Sequence, residues 1–291
     1  SRAYIEQNTN KKPHTPNVYK FSVVSSYKNK LYCSYDPAIL GFINNDICND
    51  LPYGLHNLGT IYSFTCYNGY IYYLTGPVGT DDSPCSIYRC NMDGKNNIYI
   101  ASNAYSDSTC YIVNDFLFYT TAEFNGEVLK KQGVAKINLQ TGEYNQIYQA
   151  DGLIYIKYCN GNDLYIKHNY SDKQSFCMDN NGNIQYSVSD DEIEIINDCL
   201  INGQAYKFYD GAIYQYDREK NSKWLFNIPR VIGEYTVNQD VGCVENVLNN
   251  KIYYRISLKI PHRVHSIINT LLLRCDKNGQ NTELVGVCFI P

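Results

Sequence analysis

The sequence predicts an all-β protein built from repeated units, and three observations carry that prediction. Aromatic residues, which favour strands, are abundant, with 30 Tyr and 10 Phe among 291 residues. A turn pair followed by an aliphatic and Tyr-rich run recurs along the chain. A second phrase, rich in Asp, Asn and Gly and therefore suited to tight turns, follows most copies of the first. Self-similarity of this kind indicates a repeat architecture.

The first phrase marks the second strand of each predicted unit. It occurs as KNKLYCSY (28–35), YNGYIYYLTG (67–76), VNDFLFYTT (113–121), GNDLYIKHN (161–169), INGQAYKFYD (201–210) and NNKIYYRIS (249–257). The equivalent points are Lys30, Tyr70, Phe116, Asp163, Gln204 and Lys251, and the intervals between them are 40, 46, 47, 41 and 47 residues.

The second phrase marks a tight turn between the third and fourth strands. It occurs as NMDG (91–94), NLQTG (138–142), MDNNG (178–182), YDREKN (216–221) and CDKNG (275–279). Each unit then consists of strand, turn, strand, longer loop, strand, tight turn and strand. Four strands per unit and a period in the forties predict a six-bladed β-propeller of four-stranded antiparallel blades. Blades stack because a single sheet cannot bury both of its faces.

The most apolar runs are predicted to be the inner strands, since these pack against two neighbours. They are 20–26, 59–66, 108–114, 152–159, 192–199 and 234–244. We expect residues 18–291 to form a single propeller domain and residues 1–17 to be an N-terminal extension or a closing strand. The stretch 264–274 also fits helical spacing. We favour a strand from Leu271, because the CDKNG turn follows in register.

The motifs NGxIYY and IYRxNxDGxN, both within Asn68 to Ile100, together with the six-fold period, carry a resemblance. The chain resembles a bacterial β-propeller domain similar to that of low-density-lipoprotein-receptor-related proteins, a family of unknown function related to YWTD-type propellers. The resemblance covers residues 20 to 290, although no YWTD string occurs and the first unit (29–50) lacks a clear third-strand landmark. It implies an extracellular or cell-envelope location, as part of a lipoprotein assembly, and supplies no catalytic motif.

Composition and charge exclude several partners. The net charge is −4 and the Lys and Arg residues are scattered, which argues against nucleic acid and anionic membrane surfaces. No apolar run approaches the roughly 18 residues of a membrane span, so we expect no direct membrane insertion. The chain begins with Ser1 rather than Met, which leaves open a removed signal peptide or anchor.

The twelve cysteines include no CxxC pair, and several lie inside strand-like runs. There a free Cys behaves as a small buried hydrophobic residue. We expect structural free thiols, with a disulfide framework as the alternative. Free thiols fit a reducing or anaerobic setting, which makes the cytoplasm the alternative location.

The search for chemistry yields no catalytic residue, no metal site and no cofactor. Nucleophile-elbow, zinc-protease, P-loop and dinucleotide signatures are missing. His262 and His265 have no third ligand beside them. Asp179 to Asn183 partly matches a calcium loop but lacks the Glu at its twelfth position, so we interpret it as a turn. The carboxylates of DDEIEI (190–195) are interpreted as an acidic loop that enters an inner strand.

Loop lengths predict a binding face. Three loops between second and third strands are long, at 75–86, 121–133 and 257–269, and in a propeller they share one face with the loops between blades. The candidate binding residues on this face are Asp81, Asp82, Phe124, Asp107, Asp151, Asp190, His262, Arg263 and His265.

The function predicted first is that of a non-catalytic, monomeric binding or scaffold module that presents this face to a protein or glycan partner. The alternative is a propeller hydrolase, lactonase or lyase with an axial, possibly Ca²⁺-dependent site built from Asp107, Asp151, Asp190 and Asp240. A third reading is a purely structural module that packs against another domain of a longer protein.

Overall fold

The structure of the chain is a computed structural model. It describes residues 18–22, 24–28, 30–36, 39–44, 47–50, 60–77, 84–106, 109–126, 128–150, 152–169, 174–190, 192–193, 205–217, 221–233, 235–258 and 268–290.

The described residues are nearly all in strands. In chain order the strands are β1 (Tyr19–Lys20), β2 (Val24–Tyr27), β3 (Lys30–Asp36), β4 (Ile39–Asn44), β5 (Ile47–Asp50), β6 (Thr60–Tyr67), β7 (Tyr70–Gly76), β8 (Cys85–Asn91), β9 (Ile98–Ala104), β10 (Tyr111–Val113), β11 (Phe116–Asn125), β12 (Val128–Asn138), β13 (Tyr144–Ala150), β14 (Ile154–Cys159), β15 (Asp163–His168), β16 (Ser175–Asp179), β17 (Ile184–Val188), β18 (Ala205–Tyr209), β19 (Ala212–Tyr216), β20 (Ser222–Asn227), β21 (Val231–Ile232), β22 (Tyr235–Leu248), β23 (Lys251–Leu258), β24 (Ile268–Asp276) and β25 (Glu283–Ile290). Within the described ranges, helical geometry occurs only in one turn that contains Asp190, Glu192 and Ile193.

The chain divides into two compact units. Unit 1 comprises residues 1–20 and 107–197, and unit 2 comprises residues 21–106 and 198–291. All strand pairs reported below are antiparallel and lie within one unit.

Unit 1 contains two meanders, in which successive strands pair with each other. The first runs from β10 through β11 and β12 to β13. The second runs from β14 through β15 and β16 to β17. The core between them contains Tyr111, Phe118, Ile156 and Phe176, each of which is almost wholly buried. Burial of such side chains is the main stabilising contribution to the unit.

Unit 2 contains four meanders. They are β2 to β5, β6 to β9, β18 to β20, and β22 to β25, with the short strand β21 paired to the start of β22. One core cluster lies around Phe64, Ile71 and Tyr73, and a second contains Ile213, Tyr254 and Leu271.

The sequence repeat coincides with the observed strands. The points predicted to be equivalent, Lys30, Tyr70, Phe116, Asp163 and Lys251, are the first residues of β3, β7, β11, β15 and β23. Gln204 lies outside the described residues, one position before β18 begins. The first unit, which lacks a clear third-strand landmark, forms its own four-stranded meander, β2 to β5. The stretch at 264–274 is a strand from Ile268 onward, and residues 264–267 lie outside the described ranges.

Two predicted inner strands differ in part from the structure. The run 192–199 enters the helical turn at Glu192 and Ile193, and its remaining residues lie outside the described ranges. The run 20–26 is divided, because Lys20 ends β1 whereas β2 begins at Val24. Within unit 1, β1 pairs with the edge of β10, where Tyr19 faces Ile112. Within unit 2, Ser22 forms an isolated antiparallel bridge with Phe64 of β6.

A β-bulge recurs in the last strand of five meanders. In β9 the partner changes from Ala101 to Tyr99 between successive residues of β8, so that Ile100 is the extra residue. The equivalent extra residues in β13, β17, β20 and β25 are Ile147, Gln185, Leu225 and Val285. Bulges increase the local twist and re-aim side chains. In β20 the bulge separates buried Phe226, which is 8% exposed, from Trp224, which is 53% exposed.

Candidate functional site

Two of the nine candidate binding residues, Phe124 and Asp190, lie in the described part of the chain, and both belong to unit 1. The other seven, Asp81, Asp82, Asp107, Asp151, His262, Arg263 and His265, lie outside it. Residues 78–83 of the first long loop and 259–267 of the third also lie outside the described part of the chain.

The predicted loop 121–133 is a β-hairpin, so its interpretation as a loop was wrong. Strands β11 and β12 stay paired from Phe116 and Asn138 up to Asn125 and Val128, with one bulge beside Phe124. Gly126, at the tip, has a φ of +64°, which glycine adopts without strain. Strand β13 pairs with β12 only as far as Gln132. Within unit 1, the hairpin therefore extends beyond its β13 neighbour.

Apolar side chains lie next to the Asn125–Gly126 turn of this hairpin, and charged residues lie beside them. Phe124 and Leu129 are cross-strand partners and are half-buried, whereas Val128 is 70% exposed. Glu123 faces Lys131 one pair further from the tip, and both are exposed. We call Phe124, Val128 and Leu129 the hairpin tip. The pairing places Val128 on one face of the hairpin end and Phe124 and Leu129 on the other.

Asp190 lies in the first turn of a helix and not in a loop that enters a strand. The Ser189 hydroxyl accepts a hydrogen bond from the Glu192 N–H at 3.3 Å, and Glu192 Oε2 accepts one from the Ser189 N–H at 3.2 Å. This reciprocal pair is a capping box. Asp190 Oδ1 accepts a hydrogen bond from the Ser175 hydroxyl at 2.9 Å. The Asp190 carboxylate thus joins the helical turn to the start of β16.

Buried polar side chains line the same end of the sheets in unit 1. Gln132 is 2% exposed, and its Oε1 accepts a hydrogen bond from the Ile154 N–H at 2.6 Å. His168 is 7% exposed, and its backbone N–H donates to the Ser175 hydroxyl at 3.4 Å. Because Ser175 donates its proton to Asp190 and not to the imidazole, Ser175, His168 and Asp190 do not form a nucleophile–base relay.

Sequence reasoning missed Gln132, His168 and Ser175. His168 and Ser175 are the last residue of β15 and the first of β16. In a single sequence, a polar residue at a strand end resembles any loop residue, so burial was not predictable there. For Asp190 the signal was present, because Ser189 and Glu192 have the spacing of a capping box.

The predicted turn at Asp179 is confirmed. Asp179 Oδ1 accepts hydrogen bonds from the N–H groups of Asn181 and Asn183, both at 2.9 Å, and Oδ2 accepts one from Asn183 Nδ2 at 2.8 Å. These bonds, chiefly those from Asn183, lower the pKa of the Asp179 carboxyl. Equivalent turns are held by Asn138, Asp217 and Asp276. No group of three or more His, Cys, Asp or Glu side chains spaced for a metal occurs among the described residues.

The alternative axial site depended on four aspartates. Asp107 and Asp151 lie outside the described ranges, and Asp190 has the structural role given above. Asp240 is exposed on β22 in unit 2, where its backbone N–H donates to the Asn238 side chain at 3.1 Å. Two strands that were predicted to be innermost have backbone partners. Tyr19 and Lys20 pair with β10, and Ser22 forms a bridge with Phe64 of β6.

The expectation of free thiols is confirmed for the eight cysteines whose side chains are described. Cys66 and Cys159 have equivalent positions at the ends of β6 and β14, and Cys90 and Cys275 at the ends of β8 and β24. All four are fully buried. Burial raises the pKa of each of these thiols to about 12, so they remain protonated and act as core side chains.

In the residues that the structure describes, no helix is long and apolar enough to cross a membrane.

No protein-family model and no curated protein sequence matches the chain. The resemblance to receptor-related propellers therefore remains a prediction.

Several solved structures are similar to the chain at low identity. A GH74 xyloglucanase from Xanthomonas campestris is 10% identical with a TM-score of 0.45, over 93% of this chain and 46% of the xyloglucanase. A quinonprotein alcohol dehydrogenase-like protein from Bacteroides thetaiotaomicron is 11% identical with a TM-score of 0.42, over 93% of this chain and 66% of that protein. The β-propeller domain of the Trilobed protease from Pyrococcus furiosus is 10% identical with a TM-score of 0.35, over 78% of this chain and 71% of that domain. The chain thus spans less than two thirds of the first two proteins.

Proposed function

We propose that the chain is a six-bladed β-propeller of four-stranded blades, and that it serves as a non-catalytic module that binds a protein partner. The coincidence of five strand starts with the sequence period supports the repeated blade. The bulge that recurs in five final strands supports it independently. In this proposal β18 to β20 are the second to fourth strands of the fifth blade.

The observation that carries the binding function is the hairpin tip. Val128 is 70% exposed and pairs with Asn125, so its side chain lies on the face of the hairpin opposite to that of half-buried Phe124 and Leu129. A single exposed aliphatic side chain is common on protein surfaces, so the proposal depends on the projection of the hairpin beyond β13, which leaves apolar side chains on both of its faces available to a partner. The charges of Glu123, Lys130 and Lys131 around it suit a polar rim that excludes water from an apolar contact. A protein surface supplies the apolar area that such a tip requires, and a glycan supplies less.

The same end of the unit 1 sheets is held rigidly. The Ser175–Asp190 hydrogen bond, the capping box at Ser189 and the Gln132–Ile154 hydrogen bond join neighbouring elements. Rigid support lowers the entropic cost of binding. Among the residues that the structure describes, no contact favours the hydrolase or lyase alternative.

Location at the cell envelope follows from the proposed relationship to receptor-related propellers, whereas the free thiols favour the cytoplasm or an anaerobic habitat. Fractionation of the source cells with an antibody to this chain decides between them. We propose a monomer, which light scattering after size-exclusion chromatography tests.

The binding proposal is tested by Val128→Asp. The partner is first identified by cross-linking and affinity capture on the unchanged chain, and is then purified so that its dissociation constant can be measured. We expect Val128→Asp to weaken binding at least about tenfold, because a charge would have to be buried in the apolar contact.

The matched control is Ile184→Asp. Ile184 is 56% exposed in the same unit, but it begins β17 directly after the tight turn at 179–183. We expect this change to leave the dissociation constant unaltered. Equal binding by the Val128→Asp variant and the unchanged chain would remove the hairpin tip from the binding site. Loss of capture after deglycosylation of the partner would favour a glycan.

A further inference from the structure

Two arginines occupy equivalent positions in different meanders of unit 2. Arg89 lies in β8 within the phrase YRC (88–90), and Arg274 lies in β24 within the phrase LRC (273–275). Each is the cross-strand partner of a buried tyrosine, Tyr72 for Arg89 and Tyr253 for Arg274. The chain therefore contains an internal comparison for each arginine.

The two arginines differ in the residue that faces them from the last strand. Arg274 faces Glu283 of β25, and its Nε donates to Glu283 Oε2 at 2.6 Å. Arg89 faces Ile98 of β9, which is 45% exposed. The position at which one meander carries a carboxylate is filled in the other by an aliphatic side chain.

The guanidinium of Arg89 is positioned but not neutralised. Its central carbon lies 4.6 Å from the centre of the Tyr70 ring, a cation–π distance. Its Nε is buried and has no hydrogen-bond partner. No carboxylate forms an ion pair with Arg89 among the described residues. A buried donor on a charged group that lacks an acceptor is destabilising, and an oxyanion would relieve this cost.

We propose that Arg89 is a binding site for a carboxylate from outside the chain, supplied by an Asp or Glu side chain of a partner protein. The incoming carboxylate takes the place that Glu283 occupies beside Arg274. Ile98, which faces Arg89 from β9, is exposed and so has room to rotate as the carboxylate enters. Tyr70 holds the guanidinium so that less side-chain entropy is lost on binding.

This site is distinct from the hairpin tip. Arg89 lies in unit 2, two residues before the tight turn that begins at Asn91. The hairpin tip lies in unit 1, at the end of the sheet away from the tight turns. Charge complementarity identifies the ligand, because Arg89 lacks the negative partner that Arg274 has, and Tyr70, which stacks on Arg89, stands where the other meander has Lys251.

The test is an NMR titration of the Arg89 Nε–Hε signal, assigned by its loss in Arg89→Lys. The probes are N-acetylaspartate N-methylamide, the matched asparagine compound and inorganic phosphate. We expect the aspartate compound to shift the signal saturably at concentrations of tens of millimolar or more, because one partly exposed ion pair contributes little binding free energy. We expect the asparagine compound to leave it unmoved, and phosphate to act more weakly.

Two variants make the test specific. Ile98→Glu rebuilds the internal pair seen at Arg274 and Glu283, and should abolish the shift caused by the aspartate compound. Glu283→Ile removes the carboxylate that faces Arg274, whose signal should then respond to the same compound. The proposal is overturned if the aspartate compound causes no shift, or if Ile98→Glu responds as the unchanged chain does. It is also overturned if phosphate binds as tightly as the carboxylate, since the site would then be one for inorganic anions.

Discussion

At the scale of single residues, glycines at equivalent positions of two tight turns have different packing environments. Gly142 and Gly182 end equivalent turns, and their N–H groups donate to the carbonyls of Asn138 and Asp179. Both have positive φ, +76° and +90°. A Cβ on Gly142 would meet nothing within 4 Å, whereas one on Gly182 would lie 1.7 Å from the carbonyl oxygen of Ile147.

Replacement of these glycines by alanine therefore distinguishes the cost of a positive φ from the cost of a steric clash. We expect Gly142→Ala to lower the free energy of unfolding by about 1 kcal/mol, the cost of a positive φ. Gly182→Ala should cost at least about 2 kcal/mol more, because the backbone at Ile147 must move. Urea unfolding followed by circular dichroism measures both. Equal losses would show that the close approach at Gly182 relaxes freely.

Asp276 predicts a pH dependence of stability. A hydrogen bond from Lys251, followed by one from Asn281, lowers the pKa of the Asp276 carboxyl. The folded carboxyl holds its proton less tightly than the unfolded one, so its contribution is present above the unfolded pKa and is lost as the pH falls.

We expect Asp276→Asn to be less stable than the unchanged chain at pH 7, with the difference shrinking below about pH 4, near the unfolded pKa of Asp. Urea unfolding across this range measures the difference, and Asp240→Asn, at an exposed position in the same unit, is the control. A difference that stays constant down to pH 2.5 would contradict the assignment of the pair.

Residue roles were predictable where the repeat fixes them. Cys66, Cys90, Cys159 and Cys275 recur at core positions of the period, so their burial could be inferred. The role proposed for Arg89 could not be inferred from the sequence, because what distinguishes Arg89 from Arg274 is the residue that faces it, Ile98. Register between strands decides which residues face each other, and a bulge lies between the two strands.

At the scale of elements, the recurrent bulge increases the twist of the final strands, which disfavours unwanted pairing where such a strand forms a sheet edge, as β17 and β25 do. An edge strand presents unpaired N–H and C=O groups, and a bulge twists them out of register with a flat neighbour. Four of the five extra residues, Ile100, Ile147, Leu225 and Val285, are aliphatic, whereas Gln185 is polar. The bulge thus tolerates different side chains, and the composition of these strands did not predict it.

The helical turn at Ser189 shows a local signal that a larger pattern concealed. The acidic run was interpreted as the entrance to a strand because the period placed an inner strand there. The capping box at Ser189 and Glu192 overrides that expectation, and Ile193 is fully buried. Local hydrogen bonds thus determine that this segment begins as a helical turn, although the repeat predicted a strand.

We expect Ser189→Ala to lower the free energy of unfolding by about 1 kcal/mol, the usual value of an N-cap hydroxyl. Glu192→Gln retains an acceptor for the Ser189 N–H and should cost less. Urea unfolding of both variants provides the comparison. No loss in Ser189→Ala would mean that the turn is held by the burial of Ile193 alone.

The hairpin of β11 and β12 was also hidden from sequence reasoning. Gly126, Gly133 and the charged residues between them have the composition of a loop. These residues nevertheless remain paired between β11 and β12, because the buried pairs that include Leu117 and Phe118 already align the two strands. Position along the repeat was predictable here, but the length of the strands was not.

At the scale of the whole molecule, the proposal of a non-catalytic module predicts indifference to calcium. We expect the midpoint of thermal unfolding to change by less than about 1 °C between excess Ca²⁺ and EDTA. An ion raises the stability of a protein only if it binds the folded state. Trp224, the only tryptophan, provides a fluorescence probe. A rise of several degrees in Ca²⁺ would favour the axial-site alternative, and Mg²⁺ at equal ionic strength is the control.

The pairing of β1 with β10 has a consequence for biosynthesis. Tyr19 leaves the ribosome 93 positions ahead of Ile112, its partner in the ladder. At translation speeds of roughly 5–20 residues per second, that delay is on the order of 5–20 s. For this interval the nascent chain carries an unmatched leading segment, and chaperones have time to bind it before its place in the native structure exists.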